Sequence, residues 1–323
     1  MKADESNLFE ALKGDRTGTH LERRFQAQLA AGNRVAAPPF PRQIQVETAN
    51  VCNHACTFCE YPTMERRKGL MERATFFRVV AEAHALGARE IGLFAGAEPL
   101  AAPALEEFVA YCHRLGYEYS YLTTNGALAD ATRWTRLLDA GLRSVKFSVN
   151  AGTREVYRAI HGADDFERVL ANVRFVAAER RRLPHRVFVG VSFVGVEANR
   201  HTFDRLKELV GEVVDEVMYY PAVGRAGHRP DLPPLPLERC PYPFNKATIT
   251  REGYLRACCN DYENLLAVED LGAMSLRAAW NSPRFEAFRT LHLEDRLQGT
   301  LCANCIRGAT ARPAPLNASL SRR

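Results

Sequence analysis

No stretch of this sequence approaches the roughly 18 uninterrupted apolar residues that a membrane-spanning helix needs. The first residues, MKADESNLFEALKG, are charged and lack the apolar core of a secretory signal. A cytoplasmic protein with no membrane partner is therefore expected. Basic charge is thin as well: the net charge is +5, and Lys and Arg are scattered apart from Arg180-Arg181-Arg182 and Arg322-Arg323. Nothing here supports a nucleic-acid partner. With 46% hydrophobic and 25% charged residues, disordered, collagen-like and coiled-coil classes are excluded, and 323 residues suit one large domain plus a smaller appendage. Cysteine, by contrast, is plentiful. Nine are present, and in a reducing compartment such clustering points to metal or redox chemistry rather than disulfides.

From about residue 43 to 221, short β-branched runs alternate with amphipathic segments, as in repeated βα units around a parallel sheet. The predicted strands are Gln43–Ala49, Glu90–Ala95, Glu118–Thr123, Ser144–Val149, Arg186–Val194 and Glu216–Tyr220. Between the second and third, Leu105, Phe108, Val109, Cys112 and Leu115 recur at helical spacing. Six units fall short of a closed eight-unit barrel, so the α/β fold expected is a partial (β/α)6 barrel with its chemistry at the C-terminal strand ends. Residues 1–40 read as an arm with a polar helical stretch, and 41–221 as the barrel. Residues 222–239 read as a linker, because Pro221–Pro243 holds seven prolines. A small C-terminal domain of a β-hairpin plus a helix follows over 240–310. Its hairpin strands are Ala247–Thr250 and Tyr254–Ala257, its helix spans Leu276–Leu291, and a frayed Ala/Pro/Ser-rich tail occupies 311–323.

Directly after the first strand, Cys52, Cys56 and Cys59 form C-x3-C-x2-C on a loop, close enough for three thiolates to meet one metal centre. Zinc would need a fourth ligand, for which His54 is the local candidate. A [4Fe–4S] cluster held by three cysteines would leave one iron open to a small molecule.

This loop resembles that of the radical S-adenosylmethionine (AdoMet) enzymes, and the resemblance extends over residues 43–221. Gly96-Ala97-Glu98-Pro99 is similar to the family's Gly-Gly-Glu-Pro, with Ala97 in place of the second glycine. The likeness implies that Gly96 and Glu98 hold the methionine amino group. It further implies that Ser148, Asn150 and Arg158 serve the ribose and carboxylate, that Thr124-Asn125-Gly126 belongs to the same cofactor surface, and that Phe58 and Tyr61 lie near the cluster and the adenine. Each has a plainer alternative: Asn125-Gly126 a turn, Glu98-Pro99 a helix-start cap, Ser148 an edge polar group, Arg158 a solvated helix residue.

Cys240, Cys258, Cys302 and Cys305 read C-x12-G-x4-C followed by C-x2-C, a complete four-thiolate set for one closed cluster or a zinc ribbon. The pattern resembles the short auxiliary-cluster domain called twitch, related to the longer SPASM type. The implied cofactors are AdoMet and two [4Fe–4S] clusters, with a flavodoxin-type or other one-electron reductant as partner. Of the remaining cysteines, Cys112 falls on an apolar helix face and reads as a small buried hydrophobe. Cys259, adjacent to Cys258, reads as a hydrogen-atom donor, an exchanging ligand or an inert neighbour.

By resemblance to the twitch radical epimerases of aminoglycosides, the first expectation is inversion of a carbinol carbon in an aminoglycoside or related sugar. A 5′-deoxyadenosyl radical would abstract the hydrogen and Cys259 would return one. The alternative is a dehydrogenase of an aminocyclitol or sugar alcohol, in which the electron leaves through the auxiliary cluster. A third is modification of a ribosomal peptide. Glu60, Glu65, Glu197 and Asp261 are acidic candidates for binding a polycationic substrate.

Overall fold

The computed structural model describes residues 34–224, 229, 231–234 and 239–321. The polar helical stretch expected near the start falls outside them. Six parallel strands form the frame: β1 (Gln43–Val46), β2 (Glu90–Gly92), β3 (Tyr119–Thr124), β4 (Ser144–Ser148), β5 (Phe188–Gly195) and β6 (Glu216–Pro221). Helices α1 (Arg73–Ala85), α2 (Leu105–Leu115), α3 (Ala131–Asp139), α4 (Arg154–His161), α5 (Phe166–Glu179) and α6 (Phe203–Val210) lie between them. Helix α2 shows why the pattern folds this way. Leu105, Phe108, Val109 and Cys112 share its buried stripe, acidic Glu106 and Glu107 open it, and Gly116 closes it with φ 90°. Cys112 is 0% exposed, the small-hydrophobe role expected of it. Among the described residues, no helix is long and apolar enough to cross a membrane.

The smaller C-terminal part is not a separate sheet. Strands β7 (Lys246–Ile249), β8 (Tyr254–Arg256) and β9 (Ala267–Asp270) complete one nine-stranded sheet ordered β6-β5-β4-β3-β2-β1-β7-β8-β9. Strand β7 runs parallel to β1, with Gln43 opposite Lys246 and Val46 opposite Ile249. An open barrel leaves β1 as a bare edge with unpaired peptide groups, and the hairpin satisfies it. Short helices α7 (Tyr242–Asn245), α8 (Leu276–Trp280), α9 (Pro283–Leu293) and α10 (Leu301–Arg307) complete the chain.

Several sequence expectations need correction. The single helix expected over Leu276–Leu291 is broken, because Ser282 caps a new start by accepting the Phe285 N–H and Pro283 has no N–H to continue the old one. The tail is not frayed through residue 321. The Leu316 N–H donates to the Leu265 carbonyl at 2.8 Å, and Leu320, 4% exposed, packs with Tyr254 and Ala267. The 34–40 segment also docks: the Trp280 indole N–H donates to the Pro38 carbonyl at 2.9 Å, and Phe40 meets the Trp280 ring edge-on.

Gly126, after β3, is one position where only glycine fits. Its φ is +75°, and a Cβ there would stand 2.6 Å from Phe147 Cδ1, a ring with no exposure. Gly126→Ala is expected to cost about 1–3 kcal/mol through backbone strain and overpacking. Thermal unfolding beside wild type checks this, and an unchanged midpoint would show that the turn can relax.

Candidate active site

The Cys52–Cys59 loop leaves β1 and is docked on the C-terminal turn of α4. Ala55 and Thr57 donate their backbone N–H groups to the carbonyls of His161 and Ile160 at 3.0 and 2.9 Å, filling acceptors that a helix end leaves open. Arg229 donates from its guanidinium to the Thr57 carbonyl at 2.6 Å. The thiols of Cys52, Cys56 and Cys59 are half-buried. Burial pushes all three upward in pKa, Cys52 to about 12, and neighbouring thiols add to the shift at Cys52 and Cys56. These sulfurs become thiolates when a cation takes the proton's place. An all-sulfur, partly desolvated set of three fits an iron–sulfur cluster with one iron left free of protein sulfur.

Around that loop the strand ends supply a polar rim. Gly96 has φ +57°. Glu98, 2% exposed, donates its N–H to the Val51 carbonyl, and its carboxylate accepts from Leu100 N (2.9 Å), Thr124 Oγ1 (2.5 Å) and Asn125 N (2.7 Å). The capping alternative is realised, since Glu98 caps the short turn Pro99–Ala101, and that places its carboxylate at the strand ends beside the cysteine loop. Burial raises its pKa to about 7, against the pull of its three donors. Asn125 reaches the loop, donating to Asn53 Oδ1 at 2.8 Å and standing 3.9 Å from Cys52 Sγ. Ser148 Oγ lies 3.4 Å from Ser192 Oγ on β5.

Asn150 holds a φ of 54° and is 2% exposed. Its amide ties β5 to α4 through Val194 N (2.8 Å) and His161 Nε2 (3.3 Å). Phe58 is half-buried, while Tyr61 is buried with its N–H on Cys59 Sγ at 3.4 Å and Lys68 over its ring. Arg158 does not join the group: its side chain is exposed and faces Asp164 at 3.8 Å.

The second set sits where β8 ends and α10 begins. Cys240, Cys258, Cys302 and Cys305 are close enough for their charges to oppose one another. Burial pushes Cys240 to about 12, while Cys258 is raised first by the hydrogen bond its thiol donates to Cys259 and then by burial. Four thiols that feel one another's charge are a donor set that would fit a closed cluster. Cys259 therefore belongs to this group, with its thiol against that of Cys258.

Sequence reading missed the residues that join the two sets. Tyr262 stands with its hydroxyl 3.6 Å from Cys59 Sγ, and its ring fills the space where a side chain on Gly96 would lie. Glu263 accepts the N–H groups of Glu65 and Arg66 at 2.8 and 2.9 Å. His161 places Nδ1 3.4 Å from Cys56 Sγ. Its only signal was its position three residues after Arg158, which spacing alone could not connect to the loop. Of the acidic candidates, Asp261 is 0% exposed and its carboxylate accepts the N–H groups of Glu263 and Leu266, so it builds the turn rather than offering itself to a substrate. Glu60 is buried, whereas Glu65 and Glu197 are exposed.

Comparison with known proteins agrees with this geometry. The family model described as Radical SAM superfamily matches residues 46–214, and one described as an iron–sulfur cluster-binding domain, SPASM, matches 240–306. A probable GTP 3′,8-cyclase of Saccharolobus solfataricus is 30% identical over 132 residues, 41% of this chain and 42% of that protein. A PqqA peptide cyclase of Gluconobacter oxydans is 30% identical over 173 residues, 53% of this chain and 46% of the relative. These matches span less than half the length of either relative.

Among solved structures, BtrN in complex with AdoMet and 2-DOIA shares the fold with TM-score 0.58 and 18% identity, covering 85% of this chain and 97% of that one. Streptococcus suis SuiB bound to precursor peptide SuiA shares it with TM-score 0.67 and 11% identity, covering 83% and 71%. With more than half its length matched and the cysteine loop at the end of the first parallel strand, the chain belongs to the radical SAM superfamily and carries a SPASM-type iron–sulfur domain.

Proposed function

We propose that this chain oxidises a carbinol carbon of an aminocyclitol or sugar alcohol to a ketone, using AdoMet and two [4Fe–4S] clusters. Cys52, Cys56 and Cys59 would hold one cluster, and Cys240, Cys258, Cys302 and Cys305 the other. When bound, the first supplies the electron that opens AdoMet and the auxiliary one offers an acceptor for the electron given up by the substrate. Glu98, Thr124 and Asn125 form the rim that would orient the cofactor, and Ser148 and Asn150 would continue it at the C-terminal end of β4. The likeness to BtrN, whose structure holds AdoMet and 2-DOIA, supports an aminocyclitol-sized substrate.

The observation that carries oxidation over inversion is the placement of Cys259. Its thiol accepts a hydrogen bond from Cys258 within the auxiliary set, so the spare thiol accompanies the cluster ligands. The second reading, epimerisation with Cys259 returning a hydrogen atom, keeps one observation in its favour: Cys259 is half-exposed and the four-thiol set is complete without it. Variant Cys259→Ala separates them. Under oxidation, ketone formation stays within about threefold of wild type, a change of under ~1 kcal/mol. If wild type instead yields an inverted carbon carrying solvent deuterium, and the variant yields none, inversion is the activity. A panel with aminocyclitols, sugar alcohols and peptides, scored by substrate deuterium appearing in 5′-deoxyadenosine, tests the substrate class; turnover of peptides alone would displace it.

A further inference from the structure

His54, Cys56 and His161 bring Nδ1, Sγ and Nδ1 close together. The two Nδ1 atoms are 3.1 Å apart, Cys56 Sγ is 3.4 Å from His161 Nδ1, and all three donor atoms lie within 4.8 Å of one another. The opposite nitrogen of each ring is already committed. His161 Nε2 faces two groups, the Val149 carbonyl at 2.8 Å, which can only accept, and Asn150 Nδ2 at 3.3 Å, which can only donate; the shorter contact sets the tautomer and puts the hydrogen of a neutral His161 on Nε2. His54 Nε2 is 3.2 Å from Asp165 Oδ2, an acceptor again. Both Nδ1 atoms are then bare, and their lone pairs face each other. That arrangement is repulsive unless a cation lies between them.

The rings cannot turn away easily. His54 is 4% and His161 1% exposed, and Tyr157 stacks on His161 with centroids 4.1 Å apart. An imidazole that shows one nitrogen to a common point while giving its other N–H to a carboxylate or a carbonyl is the arrangement by which metal-binding histidines are fixed. Two imidazoles and a thiolate suit zinc and similar divalent ions.

We propose that His54, Cys56 and His161 form a mononuclear site for a Zn2+-class divalent cation, occupied before the cluster is built. The functional reading above enters only through Cys56, which the cluster would also claim, so the two occupants exclude each other. For a given nitrogen and sulfur donor set Zn2+ binds more tightly than Fe2+. Zinc loaded first therefore retards cluster insertion at this loop.

Co2+ is the probe, added to the full chain stripped of metal under anaerobic conditions. Two ions are expected, one in the auxiliary four-thiol set and one here. The second persists in Cys52→Ser/Cys59→Ser and disappears when His161→Phe is added. Asp165→Asn leaves all three donors in place and weakens the second ion by about 10–100-fold, which keeps the test intact should the phenylalanine variant fold poorly.

One equivalent of Zn2+ beyond the auxiliary site should slow cluster build-up in wild type and have less effect in Asp165→Asn. A second ion that needs Cys52 and Cys59 and ignores both histidines overturns the proposal, as does the absence of any second ion, which would mean that the rings share a proton. The radical SAM reading is tested apart from this, by whether AdoMet perturbs the spectrum of iron–sulfide-reconstituted wild type.

Discussion

Arg66→Met is expected to cost about 3–5 kcal/mol, the price of leaving a buried charge without its partner, and to lower the melting temperature of the protein by about 10 °C. The Arg66 side chain is 2% exposed. Its guanidinium donates to Glu47 Oε1 at 2.6 Å, to Asn264 Oδ1 at 2.8 Å and to Glu252 Oε2 at 3.3 Å. Glu47 lies just past β1, Arg66 just past the cysteine loop, and Glu252 and Asn264 in the hairpin part, so one cation joins three segments. Arg256, 1% exposed, stands 3.8 Å from Glu47 and can replace only part of the lost attraction.

Arg66→Lys keeps the charge and loses the fork that serves three acceptors, so it should fall between wild type and methionine. Adding Glu47→Leu to Arg66→Met removes the orphaned carboxylate and should recover much of the loss. Melting of the four proteins, each reconstituted with iron and sulfide, measures this. Equal midpoints would mean that β1–β7 pairing alone holds the seam.

The same seam shows how far the sequence could be read. Alternation of short β-branched runs with amphipathic segments was enough to place all six barrel strands, because each element is specified by its own few residues. The two cysteine sets were legible for the same reason, since a spacing such as C-x3-C is local. Contacts between distant segments were not. Nothing near Tyr262 announces that it will lie against Gly96, and Arg66 looks like one more cation in Glu65-Arg66-Arg67-Lys68 until the hairpin closes over it.

Strand β9 escaped because Ala267–Asp270 is four residues long and has no alternation to show. Helix-start chemistry at Ser282-Pro283 was present but was outweighed by the apolar spacing on either side. Asp261 failed as a substrate-binding candidate for a physical reason too: a carboxylate two and five residues before free N–H groups is more readily used by its own turn.

AdoMet is expected to bind about tenfold more weakly for each pH unit below 7, and Glu98→Gln to abolish that dependence. A carboxylate has about four acceptor sites, and Leu100, Thr124 and Asn125 occupy three of them at Glu98, leaving one for an incoming ammonium group. Burial holds the Glu98 pKa near 7, above the ordinary 4.5. The sign follows from linkage. A raised carboxyl keeps its proton below pH 7, a cationic ligand requires that proton to leave, and each unit of acidity therefore costs one factor of ten.

Above 7 the curve flattens until the ligand's own amine, near pH 8 for an ordinary α-amino group, begins to lose its charge. In the ligand-free protein the same shift stabilises the fold below about pH 4.5, and that contribution is lost as pH climbs through 7, with a ceiling of roughly 3 kcal/mol. Calorimetric titration of reconstituted protein from pH 5.5 to 7.5, in buffers of different ionisation heat, counts the proton released. Glu98→Gln keeps the shape but loses the charge-assisted bond, lowering affinity at pH 7.5 by about 10–100-fold. A wild-type profile flat across that range would place the ammonium group elsewhere and return Glu98 to the role of a cap.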